Sequence, residues 1–444
     1  VRDATRVTPH RAFLEELYRV AISAAHPAAL CHESVDRLRA LHPTARRIAI
    51  LALGKAAPAM AEAAVERIAH HGATIIGGLV VGADDGPSRD RHLTRVAGDH
   101  PVPGARSLSA AARLATAAQH ARDGADATLV LLSGGATSLI AAPVDGVTPD
   151  ALTRLYESLL RSGWDIAAMN AVRKRFLRWG AGRLALALAP TPVYPAMLSD
   201  VIGDDAGTIA SGPCSADPMT AAEILRRLDA LTHLDRATRR MLTGHLERVV
   251  TGEIAETPKA DHAAFGTVAV PSIRGNTAAL AATADHALNA GWTAVVSPTP
   301  LRGEAHERGA DIARALIASV DQGPLCLIFG GETTVSIDAS DGGAGGRCQE
   351  LALAAAQLLD VAAVTVPIAL MAAGTDGRDG PTDAAGAIID RDSWRLAGAR
   401  GAAPADALAS HDSHRALAAA GALMQSRSTG TNVMDIVVGL VGER

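Results

Sequence analysis

The chain is short of cysteine, of aromatic residues and of long apolar runs, and each shortage removes a class of protein. Four cysteines, at 31, 214, 326 and 348, include no C-x-x-C pair. That argues against a disulfide scaffold and a cysteine-rich zinc site, and makes a reducing cytoplasm the expected compartment. Aromatic residues are 2% of the chain, too few for base-stacking platforms. Lys plus Arg total 42 against 47 Asp plus Glu, a formal net charge of −5. No basic field is therefore on offer to nucleic acid or an anionic membrane. No stretch approaches ~18–20 uninterrupted apolar residues, so no transmembrane helix is expected. The opening VRDATRVTPHRAFLEELYRV carries charges where a signal peptide would be apolar.

Familiar nucleotide and metal signatures are missing too. A Walker A loop fails because Ala49 stands five before Gly54 and Ala56 follows Lys55. No G-x-G-x-x-G follows a strand in a βαβ setting, which counts against a nicotinamide dehydrogenase. There is no H-E-x-x-H, and His411 and His414 read as surface residues rather than ligands.

What is present is a pattern of apolar runs separated by helical stretches. With 444 residues and 48% apolar content, two globular domains are expected. RRIAILALGKAAPAMAEAAVERIAHH reads strand, turn, helix; IIGGLVVGADDGP, ATLVLLSGG and PTPVYPAMLSD each read as a strand ending in a polar turn. Strands alternating with helices imply βαβ units and a mostly parallel sheet, and continuous apolar runs suit strands buried on both faces. Helices are expected from about 148 to 189 and from about 221 to 256. The composition changes at TGEIAETPKADHAAFG, which sets the domains at 1–255 and 265–444 with a hinge near 253–268. The second half opens with another strand–turn–helix–strand pattern, followed by the strands PLCLIFGGETTVSI and VPIALMAAGTDGRDGPTD.

Nearly every strand runs at its C-terminal end into small and polar residues, where open α/β sheets place their ligands. The richest such turn is Ser133, Gly134, Gly135, Ala136, Thr137 and Ser138; another is Gly330, Gly331, Glu332, Thr333 and Thr334. Short side chains leave backbone N–H groups accessible, and a following helix adds partial positive charge, a combination that binds phosphate or carboxylate. Lys55 sits among Gly and Ala, where its ammonium can reach a phosphate as a point charge. Arg347 enters a helix from a glycine-rich loop; an arginine is unfavourable at a positive helix terminus unless an anion lies nearby. Asp200, Asp204 and Asp205 form one acidic group, and Glu332, Asp376, Asp379 and Asp383 another. Carboxylates near phosphates hold Mg²⁺ or act as bases, and turn-capping is the competing use of each.

Taken together, ALGKAA, GDHPVPG, LLSGGATSL, MNAVRK, GRLA, LSDVIGDDAGTIASGP, GGETTVSI, GGRCQELALA, AAGTDGRDGPTDAAGA and STGTNVMD resemble, in order, the glycerate 2-kinase family with a MOFRL C-terminal domain. The resemblance spans residues 53 to 435. It implies a Rossmann-like first domain, a smaller α/β second domain and a site in the cleft between them. It further implies ATP and Mg²⁺ as cofactors and D-glycerate as the molecule phosphorylated at its 2-hydroxyl. Lys55 and Arg347 match the family's active-site lysine and arginine. Asp200 is then the candidate to orient or deprotonate the hydroxyl, with Asp204 and Asp376 as candidate Mg²⁺ ligands and the two glycine turns as phosphate or carboxylate donors. Gly180 stands where the family commonly has lysine and Cys348 where it has asparagine; Arg175, Arg178 and Arg183 are the candidates to supply the missing charge. Reduction of hydroxypyruvate with NADH or NADPH, and a non-catalytic sensor of phosphorylated metabolites, are the alternatives. Homo-oligomerisation is left open.

Overall fold

A computed structural model describes residues 9–443 except 89, 338–341 and 426. The chain forms two compact units that do not follow sequence order. One comprises Pro27–Ile273; the other joins the chain up to His26 with everything from Arg274 onward.

The Pro27–Ile273 unit is built on six strands: β1 Arg47–Leu53, β2 Thr74–Gly82, β3 Leu93–Ala97, β4 Ala127–Leu132, β5 Val193–Leu198 and β6 Ser272–Arg274. Their order is β3-β2-β1-β4-β5-β6, and β1 to β5 pair in parallel. β4 and β5 are buried throughout, as their unbroken apolar runs require. Helix Pro27–Leu41 packs on β4 and β5, and helix Ala57–His70 on β4; helix Ala105–Gly124 covers β1 to β3. The order runs outward from β1 to β3 on one side and from β4 on the other. The topological switch point, where such sheets open a ligand crevice, therefore lies between the C-terminal ends of β1 and β4.

The expected helical stretches divide into shorter helices. Pro149–Leu160, Ala221–Asp229 and Arg236–Val250 share an apolar cluster that includes Leu155, Ile224 and Leu242. Their starts follow from caps: the Thr148, Thr220 and Asp235 side chains each accept backbone N–H groups of the first turn.

The second unit has β7 Thr293–Val296, β8 Leu325–Gly331, β9 Ile368–Gly374, β10 Ala384–Asp390, β11 Leu423–Gln425 and β12 Asp435–Val441. The order is β11-β10-β9-β12-β8-β7; β7 and β8 pair in parallel and the remaining pairs are antiparallel. The turn between β9 and β10 is too short for a parallel crossover, so these two strands form a hairpin.

The expected boundary shifts at both ends. Helix Pro9–Ala24 belongs to the second unit rather than to a domain spanning 1–255. Leu14, Leu17 and Ala21 line one face at helical spacing and are fully buried. Phe13 stacks on Trp292 at 5.7 Å, Glu16 meets His286 at 2.8 Å, and Tyr18 donates to the Gly374 carbonyl at 2.7 Å. Residues 253–268 lie within the first unit rather than between two. Glu256 and Thr257 hydrogen-bond Arg175, and the Ala269 amide donates to Val193 of β5 at 2.8 Å. Charge pairing and sheet extension hold this segment in place.

Candidate active site

In the first unit the site grows from two strand ends locked to each other. The Lys55 amide donates to the Gly134 carbonyl at 2.9 Å, and the Ala56 amide donates to Ser133 Oγ at 3.0 Å. This contact needs Gly54. Its φ is +129°, and a Cβ there would lie 2.2 Å from Ser133 Oγ. The turn after β1 thus presents Lys55, whose side chain is exposed, beside the Ser133–Ser138 turn.

Gly134 and Gly135 then make room for side chains from three other strand ends. A Cβ on Gly134 would fall 2.1 Å from Asp200 Oδ2, after β5. A Cβ on Gly135, at φ +81°, would fall 3.2 Å from Lys55 Cγ and 3.0 Å from the His100 ring, after β3. Lys55, Asp200, His100 and the two glycines therefore form one cluster at the switch point. Partial desolvation of the ring, helped by the Lys55 charge, lowers the His100 pKa. Ser133 is buried, and Thr137 Oγ1 is 2.9 Å from Ser211 Oγ. The Ala136 amide donates to the Ser133 carbonyl and the Ser138 amide to Gly135, closing the turn.

Asp204 lies in the same loop after β5, at φ +52°. Its Oδ1 is buried with no hydrogen-bond partner. Asp205 instead accepts the Thr208 hydroxyl at 2.6 Å. A buried unpartnered carboxylate oxygen is a hard donor of the kind Mg²⁺ takes. Among the described residues no three His, Cys, Asp or Glu side chains gather closely enough to hold a metal unaided. Mg²⁺ commonly takes one or two carboxylates and completes its shell with water and substrate phosphates. Asp204 fits that use.

In the second unit Arg347 begins helix Arg347–Val361. Its Nε and one terminal nitrogen meet the two oxygens of Asp435 at 2.6 and 2.9 Å, and the other terminal nitrogen lies 2.8 Å from Glu332. Two carboxylates thus offset the cost of arginine at a helix start. The pair is ionic. Burial opposes the Arg347 charge, but its bonds to Asp435 raise its pKa. Burial pushes the Asp435 carboxyl up, and its bonds to Arg347 oppose that rise.

The acidic group of this unit disperses. Asp379 accepts the Cys348 and Gln349 amides at 3.1 and 2.8 Å and so caps the Arg347 helix. Asp376 accepts the Arg378 amide at 2.9 Å within its own turn, and Asp383 pairs with His414 at 2.7 Å. Turn and helix capping account for the first two. Gly330 and Gly331 lie in β8 and pair with β12. The Glu332 and Thr334 amides donate to Leu301 and Gly303 at 3.1 and 2.8 Å. Those backbone groups are already committed, unlike the donors expected of this turn. Thr333 is buried, and the Thr334 hydroxyl bonds Glu304.

The two departures from the family pattern are packed positions. A Cβ on Gly180 would meet the Lys174 carbonyl at 2.9 Å and the Ser211 carbonyl at 3.3 Å. Of the arginines expected to replace its charge, Arg175 is buried on Asp217 and Glu256. Arg183 donates to the carbonyls of Arg175 and Leu177, and exposed Arg178 lies 3.6 Å from Asp145. The Cys348 thiol is buried, and its pKa is well above the usual thiol value.

Sequence reading missed His100 and Asp435 as site residues, although both lie in quoted segments. LTRVA is too short to stand out as a strand, so nothing marked residue 100 as lying at a strand end. Pairing of Arg347 with Asp435, 88 positions apart, leaves no local trace.

Fold and site define an α/β enzyme with a lysine and a glycine turn at the switch point of a parallel sheet. Comparison with known proteins identifies it further. The family model described as domain of unknown function DUF4147 matches residues 13–246, and the MOFRL family model matches residues 325–435. The chain is 35% identical to the D-glycerate 2-kinase of Thermotoga maritima over 96% of this chain and 97% of that one. It is 33% identical to the glycerate 2-kinase of Pyrococcus horikoshii, over 89% and 87%. The crystal structure of Thermotoga maritima glycerate kinase superimposes with a TM-score of 0.83 at 32% identity, covering 97% of this chain and 99% of that one. The chain belongs to the glycerate 2-kinase family.

Proposed function

We infer that the chain transfers the γ-phosphoryl group of MgATP to the 2-hydroxyl of D-glycerate, giving 2-phosphoglycerate and ADP. The observation that carries this is the cluster of Lys55, Gly134, Gly135 and Asp200 at the switch point, in a chain similar end to end to a D-glycerate 2-kinase. Phosphoryl transfer asks a protein mainly to position groups and neutralise charge. Lys55 supplies a mobile positive charge for the transferring phosphoryl group. The Ser133–Ser138 turn offers backbone and hydroxyl donors to phosphate or to the glycerate carboxylate. Asp200 orients the 2-hydroxyl. Asp204 would hold Mg²⁺, which when bound neutralises phosphate charge. Arg347, fixed by Asp435 and Glu332, is assigned to the transferring group on the family resemblance.

The test supplies glycerate with MgATP, or hydroxypyruvate with NADH or NADPH, and follows each product. ADP formation dependent on glycerate is expected. Nicotinamide oxidation in its place selects a reductase, and nucleotide binding without turnover selects a sensor.

A further inference from the structure

We propose that His100 accepts the proton of the 2-hydroxyl during phosphoryl transfer, with Asp200 across the Gly134–Gly135 dipeptide orienting that hydroxyl. This rests on the kinase reading above. The 2-hydroxyl O–H bond breaks and its proton goes to a ring nitrogen of neutral His100. The hydroxyl oxygen forms a bond to the γ-phosphorus, and the bond from that phosphorus to the β–γ bridging oxygen breaks. ADP leaves with that electron pair.

Three features hold the imidazole where this requires. First, the Gly98 amide donates to Gly82 of β2 at 2.9 Å. Gly98 also packs so closely on the turn after Ser138 that a Cβ there would fall 2.2 Å from the Leu139 carbonyl oxygen. The chain leaving β3 is thus pressed against the end of the short helix Ala136–Leu139 that follows Gly134 and Gly135. Second, Asp99 is committed elsewhere: its carboxylate accepts the Arg106 and Ser107 amides at 2.9 and 3.3 Å, and Arg106 Nε at 2.7 Å. It caps helix Ala105–Gly124 and so anchors the backbone from which His100 projects. Third, the Cδ2–Nε2 edge of the ring lies over Gly135, 3.0 and 3.3 Å from where a Cβ would stand. A side chain at 135 would exclude it.

The charged and titratable groups around the ring come from three elements. Lys55 after β1 lies against the same glycine, Asp99 precedes it, and Asp200 after β5 lies against Gly134. Partial desolvation against the Gly135 turn and the Lys55 ammonium both favour the neutral, proton-accepting imidazole. A base titrating near the operating pH is better matched to this task than a carboxylate.

The experiment compares the full chain with His100→Gln and Asp200→Asn, recording kcat and KM against pH with D-glycerate and MgATP. His100 is exposed, so the Gln variant should fold, which circular dichroism checks. A neutral base gives activity that rises with pH through its pKa, and the wild type should show that acid limb below the ordinary imidazole value. His100→Gln should lower kcat by about 10²-fold, the lower range for general bases. It should abolish the acid limb and leave KM for MgATP within about twofold, since ATP binding itself is untouched. Added imidazole should restore part of the activity of His100→Gly. The proposal is overturned if His100→Gln keeps the wild-type acid limb, even with kcat reduced, or if Asp200→Asn is the variant that removes it. Absence of glycerate-dependent ADP formation in the wild type would instead sink the kinase reading, and this assignment with it.

Discussion

Lys55 and Arg347 carry their charges in different settings, and their variants should fail differently. Lys55 is exposed at a strand end, so Lys55→Ala should lower kcat at least ~10²-fold, about 2.7 kcal/mol of barrier, with the melting temperature nearly unchanged. Arg347→Ala should show a similar loss of kcat but also unfold more readily, because it leaves the buried Asp435 carboxylate without its bidentate partner. Breaking a fully buried pair from one side costs about 3–5 kcal/mol, and the 35% exposure of the Arg347 side chain lowers the cost here. The double variant Arg347→Ala/Asp435→Asn should recover much of that stability in a urea titration and none of the turnover. Equal stability of the single and double variants would show that the pair contributes little. Gly134→Ala is a third residue-scale test. The added methyl meets the far end of the Asp200 side chain rather than backbone, so kcat should fall with little loss of stability. Sequence alone could propose Lys55 and Arg347, since a charged residue in a small-residue turn is a local signal. It could not reveal His100 or Asp435, whose meaning depends on contacts between distant positions.

At the scale of elements, the loop after Arg173 is held by a buried ion network. Asp217 is fully buried and meets Lys174 at 3.1 Å and Arg175 at 2.8 Å; Arg175 also reaches Glu256 at 2.5 Å. Burial alone would raise the Asp217 pKa, but the two cations outweigh it and lower the value below that of an ordinary aspartate. A depressed folded-state pKa stabilises the fold above the unfolded pKa, about 3.9, and that contribution disappears as pH falls through the lower folded value. Asp217→Asn should therefore cost about 3–5 kcal/mol at neutral pH. It should also flatten the dependence of stability on pH below about 4 relative to wild type. Denaturant titrations at several pH values check both; an unchanged slope would assign the acid sensitivity to other carboxylates. Strand identities in the first sheet were legible because runs such as ILAL and TLVLL are apolar without alternation. The antiparallel pairing of the second sheet was not, because β8, β9 and β12 have similar buried runs and only the connections fix their direction.

For the whole molecule, the consequence is that one folding unit is made of two chain segments. Residues 274–444 without the first 26 lack helix Pro9–Ala24, whose Leu14, Leu17 and Ala21 are fully buried. They also lose the bond from the Thr431 hydroxyl to the Ala25 carbonyl, 2.7 Å long. Such a fragment should melt less cooperatively and expose apolar surface, and adding residues 9–26 through a linker should restore a sharp transition. A cooperative melt of the 274–444 fragment equal to that of the linked form would show that the helix is dispensable.

The sequence by itself determined the alternation of buried strands and helices, the glycine turns at strand ends, the lysine in one of them and the family that this ordered set resembles. These are local matters of periodicity, side-chain size and spacing, which a few neighbouring residues suffice to encode. Tertiary structure alone decided that the first helix completes the C-terminal unit, that Asp379 caps a helix and that Arg347 is anchored by Asp435. It also brought His100 and Asp200 to adjacent glycines of one turn. Each of these depends on segments far apart in the chain being packed together, where burial, close approach at glycine and pairing of opposite charges select one arrangement.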